Sequence, residues 1–174
     1  MNITYYHHFP SPIGPLLLVS NGDALTGLYM TEHVGGPAPQ PHWQCDESRF
    51  AAVCEQLTAY FANELREFDI PLAPQGTEFQ QKVWQALREI PFGETLSYGE
   101  LARRINQPAA SRAVGRANGL NPISIIVPCH RVIGANGTLT GYGGGLDRKR
   151  WLLAHESGAA PTSIMGLYAV GTPT

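Results

Sequence analysis

Three side chains with chemical potential stand together at Cys129, His130 and Arg131, and a carboxylate, Glu156, follows on a separate segment. A thiol reacts as its thiolate, and an adjacent imidazole is one means of producing it. Neighbouring side chains on extended backbone point apart, so Cys129 and His130 meet only through a turn at Pro128-Cys129 or a bridging water. Glu156 can orient the imidazole, which completes a base-plus-orienter set of the kind found in hydrolytic triads. Taken alone, a Cys-His dipeptide equally describes a buried thiol beside a surface histidine. The residues before it bear on the choice. Ile123, Ile125, Ile126 and Val127 form an apolar, β-branched run that predicts a buried strand over residues 123–127. Pro128 fixes φ and removes a ladder donor, so the strand should end there. Cys129 then sits at the mouth of a core, on backbone that cannot easily move.

The elements that position this stretch follow from turn chemistry and periodicity. Residues 2–31 predict an antiparallel meander: an aromatic strand over 3–9, a turn at Pro10 to Pro15, an apolar strand over 16–20, a hairpin at Asn21-Gly22-Asp23, and a strand over 24–30. Residues 35–41 are too rich in Pro and Gly for an element. Phe50, Val53, Cys54, Leu57, Tyr60 and Phe61 recur at helical spacing behind caps at Asp46 or Ser48, giving a helix whose apolar face covers the sheet. Residues 68–72 suit one more short extended segment, and 73–76 a linker. The division expected is a 1–75 N-terminal α/β domain, a 76–157 C-terminal domain and a 158–174 tail, irregular in character.

The C-terminal domain reads as mainly α. Thr77 to Gln80 and Ser97 to Glu100 are capping boxes opening two helices, and Ala109 to Gly119 is a third, with Gly119 suited to its C-terminus. Two short helices joined by a brief turn, with arginines on the second, describe a helix-turn-helix, and residues 138–142 a short strand or wing. The helix from Ala109 is slim, so it suits either insertion into a groove or close packing on a neighbour. Asp147 should cap a last helix through Glu156. Arg148, Lys149 and Arg150 cluster in its first turn, against the macrodipole, which hints at an anionic partner.

The chain has 174 residues, 43% hydrophobic, with a net charge of −2. That length holds a full core and one or two domains. No stretch approaches the roughly 20 apolar residues needed to span a bilayer, and the first eight residues lack the pattern of a signal peptide. A cytoplasmic protein is expected. Cys45, Cys54 and Cys129 are too few for a disulfide framework and form no CxxC pair, so reduced thiols and no structural zinc are expected. Charge divides along the chain: residues 1–95 carry four basic and eleven acidic side chains, and residues 96–174 eight basic and three acidic. The basic half fits a polyanion or an ordinary solvated surface.

Five motifs in the C-terminal half bear on function. Ser97-Tyr98-Gly99-Glu100-Leu101-Ala102, Ser111-Arg112-Ala113-Val114-Gly115, Asn121-Pro122-Ile123 leading into Pro128-Cys129-His130-Arg131-Val132, Gly143-Gly144-Gly145-Leu146 and Trp151-Leu152-Leu153-Ala154-His155-Glu156 occur in that order. Together they resemble the O6-alkylguanine-DNA alkyltransferases over about residues 75–157. The resemblance implies single-turnover transfer of an alkyl group from O6 of guanine in duplex DNA to Cys129, without cofactor or metal. It implies that His130 takes the thiol proton through a water, Glu156 holds His130, Tyr98 serves the leaving base and Asn121 braces the active-site loop. Val132, Tyr142 and Gly143 match substrate-binding positions. Glycine stands where the family often has serine, keeping the N–H and adding room. Arg112 matches the residue that replaces the flipped nucleotide, on a helix that lies in the minor groove through Ala109, Ala110, Ser111, Ala113, Arg116 and Gly119. Arg116, Arg148 and Lys149 are expected as further phosphate contacts. A monomer is expected, with clustering on DNA and activity on O4-alkylthymine left open.

Three alternatives carry distinct signatures. Alkyltransferase-like proteins bind alkylated DNA without repairing it, and lack the cysteine present here. A winged-helix regulator fused to such a module would bring a four-cysteine domain, which is missing. A cysteine hydrolase accommodates Cys129, His130 and Glu156 but leaves Arg112 and the slim helix without a purpose.

Overall fold

A computed structural model describes residues 2–30 and 36–159. Its N-terminal half is a four-stranded sheet covered by one helix. Strands β1 (Tyr5–Phe9), β2 (Leu16–Ser20) and β3 (Leu25–Met30) pair antiparallel as the meander predicts, and a short β4 (Gln44–Cys45) adds in parallel beside β1. The hairpin closes because Asn21 Oδ1 accepts the N–H groups of Asp23 and Ala24, both at 2.9 Å, while Gly22 takes φ +100°. Asp46 caps a 3₁₀ turn over Glu47–Phe50 by accepting from the Ser48 N–H, and α1 (Ala51–Phe61) follows directly. Val53, Leu57 and Tyr60 form its buried stripe, in one core with Leu16, Leu18 and Leu28. Cys54 is half-buried against that core.

The C-terminal half contains α2 (Glu78–Arg88), β5 (Leu96–Ser97), α3 (Tyr98–Arg104), α4 (Ser111–Gly119), β6 (Val132–Ile133) and α5 (Leu146–Ser157). Both capping boxes form: Thr77 with Gln80 opens α2, and Ser97 with Glu100 opens α3. Trp84 of α2 donates its indole N–H to the Ala117 carbonyl of α4 at 2.9 Å, so the second helix of the α3–α4 pair is anchored from behind.

Several expectations fail, each for a local reason. Residues 123–127 are buried but not a strand. Ile123 makes one bridge to Leu28 of β3, then the chain turns, with Ile126 N–H donating to Ser124 O and Val127 N–H to Ile123 O. Apolar, β-branched composition signals burial, and burial alone does not distinguish extended from turned backbone. Ile125 sits at φ +71°, a strained conformation for a β-branched residue. No strand forms over residues 138–142; the small ladder of this half is β5 with β6, in parallel. Residues 68–72 reach only a single bridge, Leu72 to Leu25. Helix α4 ends at Leu120 with φ −97°, so Gly119 is not a left-handed cap. Asp147 does not cap α5, whose N-cap is Gly145; it pairs instead with Arg150 at 3.2 Å. The loop position Gly35, the histidine His33 and tail residues 160–174 lie outside the described residues.

The two halves are joined through buried contacts. Leu28 N–H donates to Pro122 O at 2.8 Å and Ser124 N–H to Leu28 O at 3.1 Å, so the loop ahead of Cys129 rests on the edge of the sheet. Gly144 approaches Met30 so closely that a Cβ there would stand 2.3 Å from its sulfur, so a side chain at this position would displace the end of Met30.

Candidate active site

Cys129 begins a 3₁₀ turn, Cys129–Arg131, on the C-terminal side of Pro128. The turn takes Cys129, His130 and Arg131 inward together, with Cys129 only 4% exposed and His130 fully buried. That overturns the reading of a surface histidine. Asn121 holds the loop in shape: its Nδ2 donates to Val127 O at 2.8 Å and Ile123 O at 3.3 Å, and its Oδ1 accepts the Ile123 N–H at 3.0 Å. From α4, Asn118 Nδ2 reaches the Cys129 carbonyl at 3.4 Å.

Glu156, on α5, stands opposite. His130 Nε2 is 2.8 Å from its Oε2, and Arg131 donates Nε to Oε1 at 2.7 Å and Nη2 to Oε2 at 3.0 Å. Burial alone would raise the Glu156 carboxyl, yet His130 and Arg131 hold it well below the usual carboxylate range. Burial pushes the His130 imidazole down against the pull of Glu156, which favours its neutral form. A neutral imidazole facing a carboxylate keeps its proton on Nε2, leaving Nδ1 as the acceptor. Nδ1 is buried and has no hydrogen-bond partner among the described residues. Burial also raises the Cys129 thiol, against the opposing influence of Asn121, Lys149 and Tyr142. A buried thiol of this kind is unreactive until a base takes its proton.

Tyr142 connects Cys129 to the surface. Its hydroxyl is buried near Cys129 and Ser124 with no hydrogen-bond partner among the described residues, and burial raises it well above its ordinary value. The same residue lines a cleft of about 590 Å³ shared with Tyr98, Ser111, Arg112, Gly115, Gly119, Thr140, Gly141 and Gly143. Tyr98 projects from the start of α3, with its hydroxyl 3.2 Å from Thr140 Oγ1. The outer face of α4 presents Arg112, Ala113, Arg116 and Gly119 to solvent, while Val114, Ala117 and Asn118 face inward. Ala109 is exposed and Ala110 half-buried just ahead of it. Val132 is buried, and its carbonyl accepts from Lys149 Nζ at 2.6 Å.

Lys149 and Arg148 are therefore not phosphate contacts. Both are fully buried. Lys149 Nζ also donates to Thr140 O at 2.9 Å, tying β6 to the cleft wall. Arg148 donates Nε to Ile13 O at 2.8 Å and Nη1 to Gly144 O at 3.1 Å, tying the glycine loop to the N-terminal half. A first-turn cation looks like a surface charge only until its carbonyl partners are known. Of the three, Arg150 alone is exposed.

A family model described as the 6-O-methylguanine DNA methyltransferase DNA-binding domain matches residues 78–158, and one described as the ribonuclease-like domain of the same methyltransferase matches residues 4–74. The chain belongs to the 6-O-methylguanine DNA methyltransferase family. The methylated-DNA–protein-cysteine methyltransferase of Mycobacterium tuberculosis strain H37Rv is 56% identical over 160 residues, which is 92% of this chain and 96% of the relative. That of Methanosarcina acetivorans is 55% identical over 152 residues, 87% of this chain and 97% of its own. A crystal structure of the Mycobacterium tuberculosis protein in complex with DNA superposes with a TM-score of 0.85 at 56% identity, covering 92% of this chain and 97% of that one.

Sequence reasoning named Cys129, His130, Glu156 and Asn121, which this methyltransferase brings to one centre, and Tyr98, Arg112, Tyr142 and Gly143, which line the adjoining cleft. It overlooked Arg131 as the second partner of Glu156, Asn118 as a ligand of the Cys129 carbonyl, and Tyr60. The signal for Tyr60 was a hydroxyl in an otherwise apolar stripe, since a buried tyrosine O–H normally has a partner. Among the described residues no cluster of His, Cys, Asp or Glu is placed to hold a metal.

Proposed function

We propose that this methyltransferase repairs O6-alkylguanine in duplex DNA by direct reversal, moving the alkyl group irreversibly to Cys129. The observation that carries the proposal is the buried Cys129–His130–Glu156 set next to Tyr142, which also lines a cleft bounded by the slim face of α4. His130 Nδ1 takes the thiol proton through a bridging water, and Glu156 stabilises the imidazolium that results. Thiolate sulfur attacks the alkyl carbon, the S–C bond forms as the C–O6 bond breaks, and the electron pair departs with guanine. Tyr98 offers its hydroxyl proton to the leaving base and regains one through water from the His130 imidazolium, which returns to neutral. Guanine leaves neutral, and the thioether stays. A thioether is not cleaved by a thiol under cellular conditions, and the other two thiols stand on elements of the N-terminal half, Cys45 exposed on β4 and Cys54 on α1. One protein therefore repairs one lesion.

A base inside a duplex reaches this thiol only after flipping, at an unstacking cost of a few kcal/mol. Arg112, exposed at the start of α4, fills the space left in the stack. Ala109, Ala110, Ser111, Ala113 and Gly119 let the helix approach the minor groove, and Arg116 holds a phosphate without reading sequence. Val132, Tyr142 and the Gly143 N–H frame the flipped base. The division at 75/76 separates a supporting N-terminal domain from the DNA-binding one. The protein acts as a monomer in the cytoplasm; no helix among the described residues is long and apolar enough to cross a membrane. The alternative, a protein that only binds alkylated DNA, makes the opposite prediction in one assay. Duplex DNA containing O6-methylguanine is incubated with excess protein and the intact mass measured. One methyl group on Cys129, absent in Cys129→Ala, is the expected result; lesion binding without a mass change would establish the binding-only reading.

A further inference from the structure

Glu156 has a third donor, and it comes from the other half of the molecule. Tyr60 of α1 is fully buried and donates its hydroxyl to Glu156 Oε2 at 2.6 Å. The same oxygen faces His130 Nε2 at 2.8 Å and Arg131 Nη2 at 3.0 Å. The backbone carbonyl of Tyr60 lies 2.8 Å from His155 Nε2, so α1 is fastened to α5 on both sides of the carboxylate. The ring is packed edge-on against Phe61 and Phe92, which leaves the hydroxyl one direction to point. We infer that Tyr60 is a positioning residue for alkyl transfer: by donating to Glu156 Oε2 it sets how much carboxylate charge reaches His130, and so how basic Nδ1 is.

The physical reason is competition for one oxygen. Each hydrogen bond to a carboxylate disperses its charge and weakens what it offers the next donor. Arg131 bridges both oxygens and fixes the carboxylate in place, so removing the Tyr60 hydroxyl alters its charge distribution more than its position. Burial, and then the Glu156 charge, keep the Tyr60 phenol well above its ordinary range, which favours the neutral donor. With that donor lost, the charge on Oε2 concentrates on His130 and the imidazole becomes a stronger base. This role for Tyr60 rests on Cys129 being the alkyl acceptor and His130 its base, as proposed for the repair reaction.

The test is the pH dependence of transfer from free O6-benzylguanine, which bypasses DNA binding and flipping. In Tyr60→Phe the acidic limb of the rate profile should move up by about one pH unit, lowering the rate at pH 6 and leaving it equal or higher at pH 8. A 3-fluorotyrosine placed at position 60 is a stronger donor of the same shape and should move the limb the opposite way. It also keeps the test alive if Tyr60→Phe does not fold. An NMR titration of His130 should shift in step with the limb in each variant. Profiles of unchanged shape, scaled equally at every pH, would reduce Tyr60 to a packing residue. Should the benzyl group land on a residue other than Cys129, the assignment of the thiol fails instead, and mass mapping of the product separates the two results.

Discussion

Glu156→Gln tests the electrostatic centre of the site with almost no change of volume. In the native site four donors converge on two carboxylate oxygens: Arg131 Nε on Oε1, and Tyr60, His130 and Arg131 Nη2 on Oε2. An amide provides one oxygen. Placed at Oε2, it retains a partner for Tyr60 and His130, but its NH₂ group then faces Arg131 Nε–H. The Arg131 side chain is only 7% exposed, so its charge is left inside the protein without a counter-ion. Breaking one side of a buried pair in this way costs about 3–5 kcal/mol. For a chain of this length each kcal/mol lowers Tm by about 2–4 °C, so a drop of roughly 6–20 °C is expected by calorimetry.

Chemistry should suffer separately. His130 keeps an acceptor for its Nε2 proton, so the reactive tautomer survives, but the imidazolium formed on proton transfer loses its carboxylate. A positioned base contributes about 10²–10⁴-fold, and losing its charge stabilisation should slow methyl transfer by at least about 10²-fold. Rapid-quench measurement of methyl transfer from O6-methylguanine in duplex DNA, made at a temperature where the variant is folded, isolates the rate from the stability. A variant with the wild-type rate at pH 7 and a Tm within about 2 °C of wild type would refute both the stabilising and the catalytic role of the Glu156 charge.

Other consequences can be checked directly. Arg112→Ala should retain reactivity toward free O6-benzylguanine and lose repair of duplex DNA; equal loss on both would remove its part in flipping. Lys149→Met should lower Tm while leaving the salt dependence of DNA binding unchanged, whereas Arg116→Ala should reduce the slope of log K against log salt by about 1. A reduced slope in Lys149→Met would restore the phosphate contact that its burial excludes. Stability should fall as pH drops, in two windows. His130 has a lowered folded pKa, so below the unfolded value of about 6.5 the unfolded chain binds the extra proton and folding weakens. Glu156 contributes in the same direction: its stabilisation is complete above the unfolded carboxyl value of about 4.3 and is lost as pH falls toward its low folded value. Denaturant titrations in steps from pH 8 to pH 4 measure the first window, and His130→Gln should flatten it.

What the sequence disclosed tracks the distance between partners. Thr77 and Gln80, or Ser97 and Glu100, find each other three residues apart, so both helix starts were legible. The hairpin at Asn21-Gly22 is equally local. Cys129, His130 and Glu156 are separated by up to 27 residues, and were joined by motif order rather than by any local rule. Arg148 answers to Ile13, 135 positions away, and Tyr60 to Glu156, 96 away. Nothing near Arg148 or Lys149 distinguishes a buried cation bonded to carbonyls from a surface cation awaiting phosphate. The error over residues 123–127 has a related origin. Their burial was readable, but the turn exists because Asn121 occupies the carbonyls of Ile123 and Val127 and β3 takes the N–H of Ser124, and a strand would have needed those groups for a ladder. These long-range bonds give the N-terminal half a closer part in the site than the motif pattern does. Leu28 supports the loop before Cys129, Ile13 receives Arg148 beneath the glycine loop, and Tyr60 donates to the carboxylate that governs His130. Removing that half would therefore leave the Glu156 oxygen, the Arg148 guanidinium and the Ser124 N–H each short of a buried partner, so the motif-bearing domain alone lacks three of the contacts that hold its active site in shape.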